Sequence, residues 1–141
     1  MMENDAPPIG TVMLIDDEEV DQMLYSRIVE RSKHADDIVS FLDAEKALDY
    51  LASEDQPRPD LILLDINMPN MNGFEFLDRL DERTGVDVAP VIFLLTTSFD
   101  PRDRARAGEY GLVRGFVQKP LTDVKLAEFR AAIASGPPQG A

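Results

Sequence analysis

One stretch constrains the whole chain: Leu61-Ile62-Leu63-Leu64-Asp65, followed by Ile66-Asn67-Met68-Pro69-Asn70-Met71-Asn72-Gly73. Four consecutive apolar residues without polar alternation fit a strand covered on both faces, as in a parallel sheet. Asp65 then stands at the carboxyl end of a central strand, the edge where open α/β sheets bind ligands. Pro69 and Gly73 keep the following backbone irregular. Read alone, Asp65 is equally a strand-end residue capping a turn, so its role depends on what else reaches that edge.

Three more apolar runs end in polar residues. Val12-Met13-Leu14-Ile15 runs into Asp16-Asp17-Glu18-Glu19, and Val91-Ile92-Phe93-Leu94-Leu95 into Thr96-Thr97-Ser98. A brief last strand, Gly115-Phe116-Val117-Gln118, ends at Lys119-Pro120. A further strand over Ile38–Leu42 completes five. Helical spacing follows each one. Val20, Leu24 and Ile28, with Met23 beside them, mark the inward face of the first helix. Ala44, Ala47, Leu48 and Leu51 mark the second, and Phe74, Phe76, Leu77 and Leu80 the third. The fourth helix, Pro101 to about Tyr110, is short and polar, with Ala105 and Ala107 as its apolar contacts. Thr122-Asp123 caps the fifth, which turns Leu126, Phe129, Ala132 and Ile133 inward.

Alternation of this kind predicts an α/β fold, a five-stranded parallel sheet doubly wound by helices in (βα)5 order. Residues 9–134 form the single domain, 1–8 a flexible lead and 135–141 a flexible tail rich in Gly and Pro. Net charge is −13, from 27 acidic and 14 basic residues, which argues against nucleic acid or an anionic membrane surface as a partner. The absence of cysteine excludes disulfides and thiolate metal sites and suits a cytoplasmic setting. No apolar run approaches the roughly 20 residues that span a bilayer.

In such a fold the strand ends share one edge. Asp16, Asp17, Asp65, a threonine hydroxyl from Thr96 or Thr97, and the Lys119 ammonium then surround one pocket. Asp16 and Asp17 also suit a helix N-terminus, but four carboxylates in a row exceed what a cap requires. Crowded carboxylates repel unless a cation sits among them, and hard oxygen ligands suit Mg²⁺. The lysine and hydroxyl are donors that become useful when an anion arrives. A phosphoryl group on Asp65 satisfies both demands, since a carboxylate can accept it as a mixed anhydride.

These motifs, in this order, resemble the response-regulator receiver domain of two-component signalling, in particular its single-domain, chemotaxis-type members. The resemblance covers residues 9 to 134 and rests on Asp16-Asp17, Asp65-Ile66-Asn67-Met68-Pro69 with Gly73, Thr96-Thr97-Ser98 and Lys119-Pro120. It implies a flavodoxin-like receiver fold, with Asp65 as phosphoacceptor. Asp17, Asp65 and the Asn67 backbone carbonyl would hold Mg²⁺, with Asp16 acting mostly through a metal-bound water. Lys119 would pair with the phosphoryl oxygens, and its bond to Pro120 would be cis. The switch hydroxyl is Thr97 by the usual spacing from Lys119, or Thr96 if one extra residue lies in Gly111–Arg114; Thr96 is the better fit. Phe116, three before Lys119, matches the aromatic that turns inward on activation, and as a plain reading is an edge-strand core residue.

The resemblance further implies a stand-alone cytoplasmic regulator. It would be phosphorylated by a histidine kinase or histidine phosphotransfer protein and read by a downstream protein target, as a monomer or a phosphorylation-dependent homodimer. The competing reading is a Mg²⁺-dependent aspartyl-phosphate phosphatase. That class places a second aspartate two residues after the nucleophile, where this chain has Asn67. His34 reads as a surface residue, Arg102, Arg104 and Arg106 as a solvated face, and Met68, Met71 and Phe74 as loop packing or a docking patch.

Overall fold

The computed structural model describes residues 6–83, 90–97 and 100–135. Five strands alternate with five helices: β1 (Ile9–Ile15), α1 (Glu19–Ser32), β2 (Ala35–Phe41), α2 (Ala44–Ala52), β3 (Leu61–Leu64), α3 (Gly73–Arg83), β4 (Val91–Thr96), α4 (Pro101–Ala107), β5 (Val113–Gln118) and α5 (Asp123–Ala134). All pairings are parallel, in the order β2-β1-β3-β4-β5. The chain leaves β1 to one side for β2 and returns on the other as β3. That reversal opens a crevice at the carboxyl ends of β1 and β3.

The unalternated runs are explained by two cores. Met13, Ile15, Ile62, Leu64, Ile92 and Leu94 face α2, α3 and α4, while Val12, Leu14, Leu61, Leu63, Phe93 and Leu95 face α1 and α5. Alternate residues of β1, β3 and β4 therefore point to opposite apolar layers, and every position of β3 is buried.

Local chemistry sets the helix starts. Asp43, Asp100 and Thr122 each accept a backbone N–H from the first turn of α2, α4 and α5. Asn72 and Glu75 exchange side-chain to backbone hydrogen bonds, at 2.9 and 3.0 Å, in a reciprocal cap on α3.

Helix α1 departs from its expected phase. Val20, Met23 and Leu24 are exposed, at 63%, 54% and 49%, and Gln22, Tyr25 and Val29 are buried instead. The Gln22 side-chain amide donates to the carbonyls of Asp16 at 2.9 Å and Phe41 at 2.8 Å, with a longer contact to Leu14. A buried polar anchor bridging the ends of β1 and β2 thus fixes the rotation of the helix, and apolar spacing alone cannot see it.

The remaining differences concern element ends and the sheet register. β2 begins at Ala35 and β5 at Val113, each earlier than expected, and α4 ends at Ala107, with Ala107 buried and Ala105 exposed. Along β4 and β5 the register steps from Ile92↔Val113 to Phe93↔Gly115, so Arg114 is an extra residue in β5.

Candidate functional site

The backbone ties the strand ends together first. Asp65 N donates to Ile15 O at 3.0 Å, Asp16 N to Phe41 O at 3.1 Å and Lys119 N to Thr96 O at 2.9 Å. Gly73 closes the loop after β3 by donating to Ile66 O at 2.9 Å. A Cβ at Gly73 would stand 2.8 Å from the Asp65 carbonyl oxygen and 3.0 Å from Ile66 Cα, so only glycine lets α3 start this close to the strand.

Side chains from four elements converge within this frame. Asp16 and Asp65 are buried and Asp17 is half-buried, and one oxygen from each lies within 4.8 Å of the others. Lys119, its side chain 8% exposed, places Nζ 2.7 Å from Asp16 Oδ2, 2.8 Å from Asp21 Oδ2 and 3.7 Å from Asp65 Oδ2. Asp16 Oδ1 accepts from Glu18 N at 2.9 Å, and Asp65 Oδ1 from Asn67 N at 3.4 Å. The Lys119–Pro120 peptide is cis, and Lys125 Nζ donates to the Gln118 and Pro120 carbonyls on either side of Lys119, both at 2.7 Å.

Burial pushes the Asp65 carboxyl up to about 6, with help from the neighbouring Asp16 and Asp17 and against the pull of Lys119. Asp16 is shifted upward too, again chiefly by burial. Burial, the largest single influence on Lys119, pulls its ammonium down. The contacts with Asp16 and Asp21 and the charges of Asp65 and Asp16 together outweigh it and hold Lys119 above the ordinary lysine value.

The donor set fits a divalent cation. Asp16 Oδ2 is fully buried with the Lys119 ammonium as its one close partner among the described residues, so three carboxylates gathered here are met by a single neighbouring cation. Asn67 is exposed beside the cluster.

Thr96 is the last residue of β4, fully buried and paired with Gln118, whereas Thr97 is exposed. Phe116 lies half-buried on β5 with the Arg104 guanidinium 5.1 Å from its ring centroid. Arg106 similarly covers Phe74 at 4.3 Å; all three α4 arginines are exposed, as a solvated face requires, two of them lying over aromatic rings and Arg102 pairing with Asp100. Met68, Met71 and Phe74 are buried in the core, as loop packing. His34 bridges Asp123 and Arg130 with its two ring nitrogens at 3.2 and 3.1 Å, more than the bare surface residue the sequence suggests.

Two residues of the site were not singled out from sequence, Gln22 and Asp21. Asp21 had a readable signal, since it lies four residues after Asp17 and one helical turn carries it back to the pocket.

A model of the response regulator receiver domain matches residues 12–131. The sensory/regulatory protein RpfC of Xanthomonas campestris is 31% identical over 87% of this chain, which spans 16% of RpfC. Protein PilH of Pseudomonas aeruginosa is 27% identical over 91% of this chain and all of its own length. The crystal structure of a two-component response regulator from Cytophaga hutchinsonii superposes with a TM-score of 0.83 and 30% identity, over 92% of this chain and 99% of that one. The Mn²⁺-bound form of response regulator Rcp1 gives 0.68 and 27%, over 92% and 94%. With a flavodoxin-like sheet, an acidic pocket at its switch point and these matches, the chain belongs to the response regulator receiver domain family, a phosphoacceptor signalling module rather than a conventional enzyme.

Proposed function

We propose that this receiver is a stand-alone cytoplasmic switch that accepts a phosphoryl group on Asp65 from a histidine kinase or histidine phosphotransfer protein and passes the signal to a downstream protein. The observation that carries the proposal is the convergence of Asp65 with Asp16, Asp17 and Lys119 in one buried pocket. Likeness along the full length of PilH supports the stand-alone part of the reading.

An Asp65 carboxylate oxygen attacks phosphorus and forms an acyl phosphate. The bond from phosphorus to the donor imidazole nitrogen breaks, and its electron pair stays on the imidazole, which takes up a proton. Lys119 orients and neutralises the phosphoryl oxygens, and the backbone bond from Asp65 N to Ile15 O keeps the nucleophile in line with the pocket. Asp16, Asp17, Asp65 and the Asn67 carbonyl would hold Mg²⁺, which when bound supplies positive charge to the oxygens that become more negative during transfer.

The signal leaves through β4 and β5. The Thr96 hydroxyl reaches the phosphoryl group by moving toward Asp65, and Phe116 turns into the space behind it. Thr96 is the better candidate than Thr97 because it is the buried end of β4, and the bulge at Arg114 accounts for the extra residue in the count from Lys119. Two packings of one surface then differ by a few kcal/mol, and phosphorylation shifts the population between them. The downstream partner reads that surface, on a monomer or on a homodimer that phosphorylation promotes.

Intact-mass measurement after incubation with acetyl phosphate and Mg²⁺ tests the assignment. Wild type should gain one phosphoryl group and Asp65→Asn none. Equal gain in Asp65→Asn would place the acceptor elsewhere.

A further inference from the structure

We propose that Asp21 is a positioning residue that holds Lys119 away from Asp65 and so restrains phosphorylation of this receiver. The inference rests on the reading that Asp65 accepts the phosphoryl group.

Asp21 lies in the first turn of α1, outside the three carboxylates grouped for a cation. It nevertheless accepts the one aligned side-chain hydrogen bond that Lys119 donates among the described residues, at 2.8 Å. Asp16 Oδ2 holds the ammonium from the other side at 2.7 Å, while Asp65 Oδ2 lies 3.7 Å away, beyond hydrogen-bond reach. The ammonium is therefore held between Asp16 and the Asp21 carboxylate of α1, off the phosphoacceptor. Asp21 cannot follow it by rotation of the helix. The next residue, Gln22, pins α1 to the carbonyls of Asp16 and Phe41.

An ammonium has three protons. With one on Asp21 and one directed at Asp16, a single proton is left for a phosphoryl group that presents several oxygens. If Lys119 keeps its bond to Asp21, a carboxylate and a doubly charged phosphoryl group share one cation and repel each other. If it leaves, a half-buried charge-assisted bond is broken, the Asp21 side chain being 28% exposed. Either way Asp21 weights the equilibrium toward the unphosphorylated state. Loss of its charge should favour the phosphorylated one.

Beryllofluoride, a phosphoryl mimic, reads this equilibrium without a donor. Its affinity in saturating Mg²⁺ can be followed by amide NMR for wild type, Asp21→Asn, Asp21→Glu and Glu19→Gln. Competition for a partly solvated ion pair predicts roughly three- to tenfold tighter binding in Asp21→Asn, with faster labelling by acetyl phosphate. Asp21→Glu should return toward wild type, because its carboxylate can still reach Lys119. Glu19→Gln removes a charge from the same turn on an exposed position and should change affinity less than twofold. Asp21→Ala gives a second reading of the charge loss should the asparagine variant fold poorly. Unchanged or weaker binding in Asp21→Asn and Asp21→Ala would overturn the proposal, as would an equal gain in Glu19→Gln, which would make the effect one of net charge. A wild type that binds beryllofluoride while Asp21→Asn behaves like it defeats this inference alone. A wild type that takes up neither beryllofluoride nor a phosphoryl group defeats the Asp65 reading and this inference together.

Discussion

Asp65 must be charged to attack phosphorus, yet its surroundings oppose the charge. It is only 6% exposed, and Asp16 and Asp17 share its pocket. Burial lifts its carboxyl from 3.8 to about 6. A folded-state value above the unfolded one means that the native protein binds the proton more tightly. The resulting stability is complete below about 3.8 and is lost as pH rises through about 6. The interval corresponds to at most about 3 kcal/mol, less where Asp16 titrates with it. Urea unfolding in chelator, compared between wild type and Asp65→Asn, isolates this contribution. The wild type should lose ground to Asp65→Asn between pH 4 and 7 by about 1–3 kcal/mol. A difference that stays flat across that range would mean that Asp65 is not desolvated in the native pocket.

At the scale of elements, strands were more legible than helix faces. A buried parallel strand shows itself as an unbroken apolar run, and the runs at Val12–Ile15, Leu61–Leu64 and Val91–Leu95 all lie in the sheet. The phase of α1 was hidden because Gln22, a polar residue, sets it, and Val20, Met23 and Leu24 read as core only if apolar spacing is the sole guide. The pocket was legible for a related reason. Strand ends in a parallel sheet fall on one edge, so Asp16, Asp65 and Lys119 follow from topology, while Asp21, four residues after Asp17, lies on a helix whose inward face apolar spacing misassigned. The proposed output also belongs to this scale, since it couples the end of β4 to β5. Thr96→Ala should still take up a phosphoryl group on Asp65 but fail to transmit it. Amide NMR with and without beryllofluoride should then show shifts confined to the pocket, with residues 112–126 unmoved. If Thr97→Ala has that effect and Thr96→Ala does not, the hydroxyl belongs to Thr97; if neither does, the coupling fails.

The molecule as a whole gathers repulsion where it gathers function. Folding brings Asp16 and Asp17 from the end of β1 beside Asp65 from the end of β3, in a chain of net charge −13. Asp65 is far from the Asp16-Asp17 pair in the unfolded chain, so the repulsion between it and that pair is borne by the native state alone. A divalent cation bound there would therefore stabilise the fold as well as serve the chemistry. At a hundredfold excess over Kd, mass action gives about 2.7 kcal/mol, or roughly 8 °C in Tm for a domain of this size. Asp17→Asn should act in the opposite way in each condition. Without metal it removes one repelling charge at a half-buried position and should raise Tm by a few degrees. With Mg²⁺ it lacks a ligand, and most of the metal-induced rise should vanish. Thermal melts of both proteins in chelator and in Mg²⁺ decide the matter through the crossing of the two effects. A wild-type Tm indifferent to Mg²⁺, or an Asp17→Asn variant less stable than wild type in chelator, would show that the three carboxylates do not share a strained cation site.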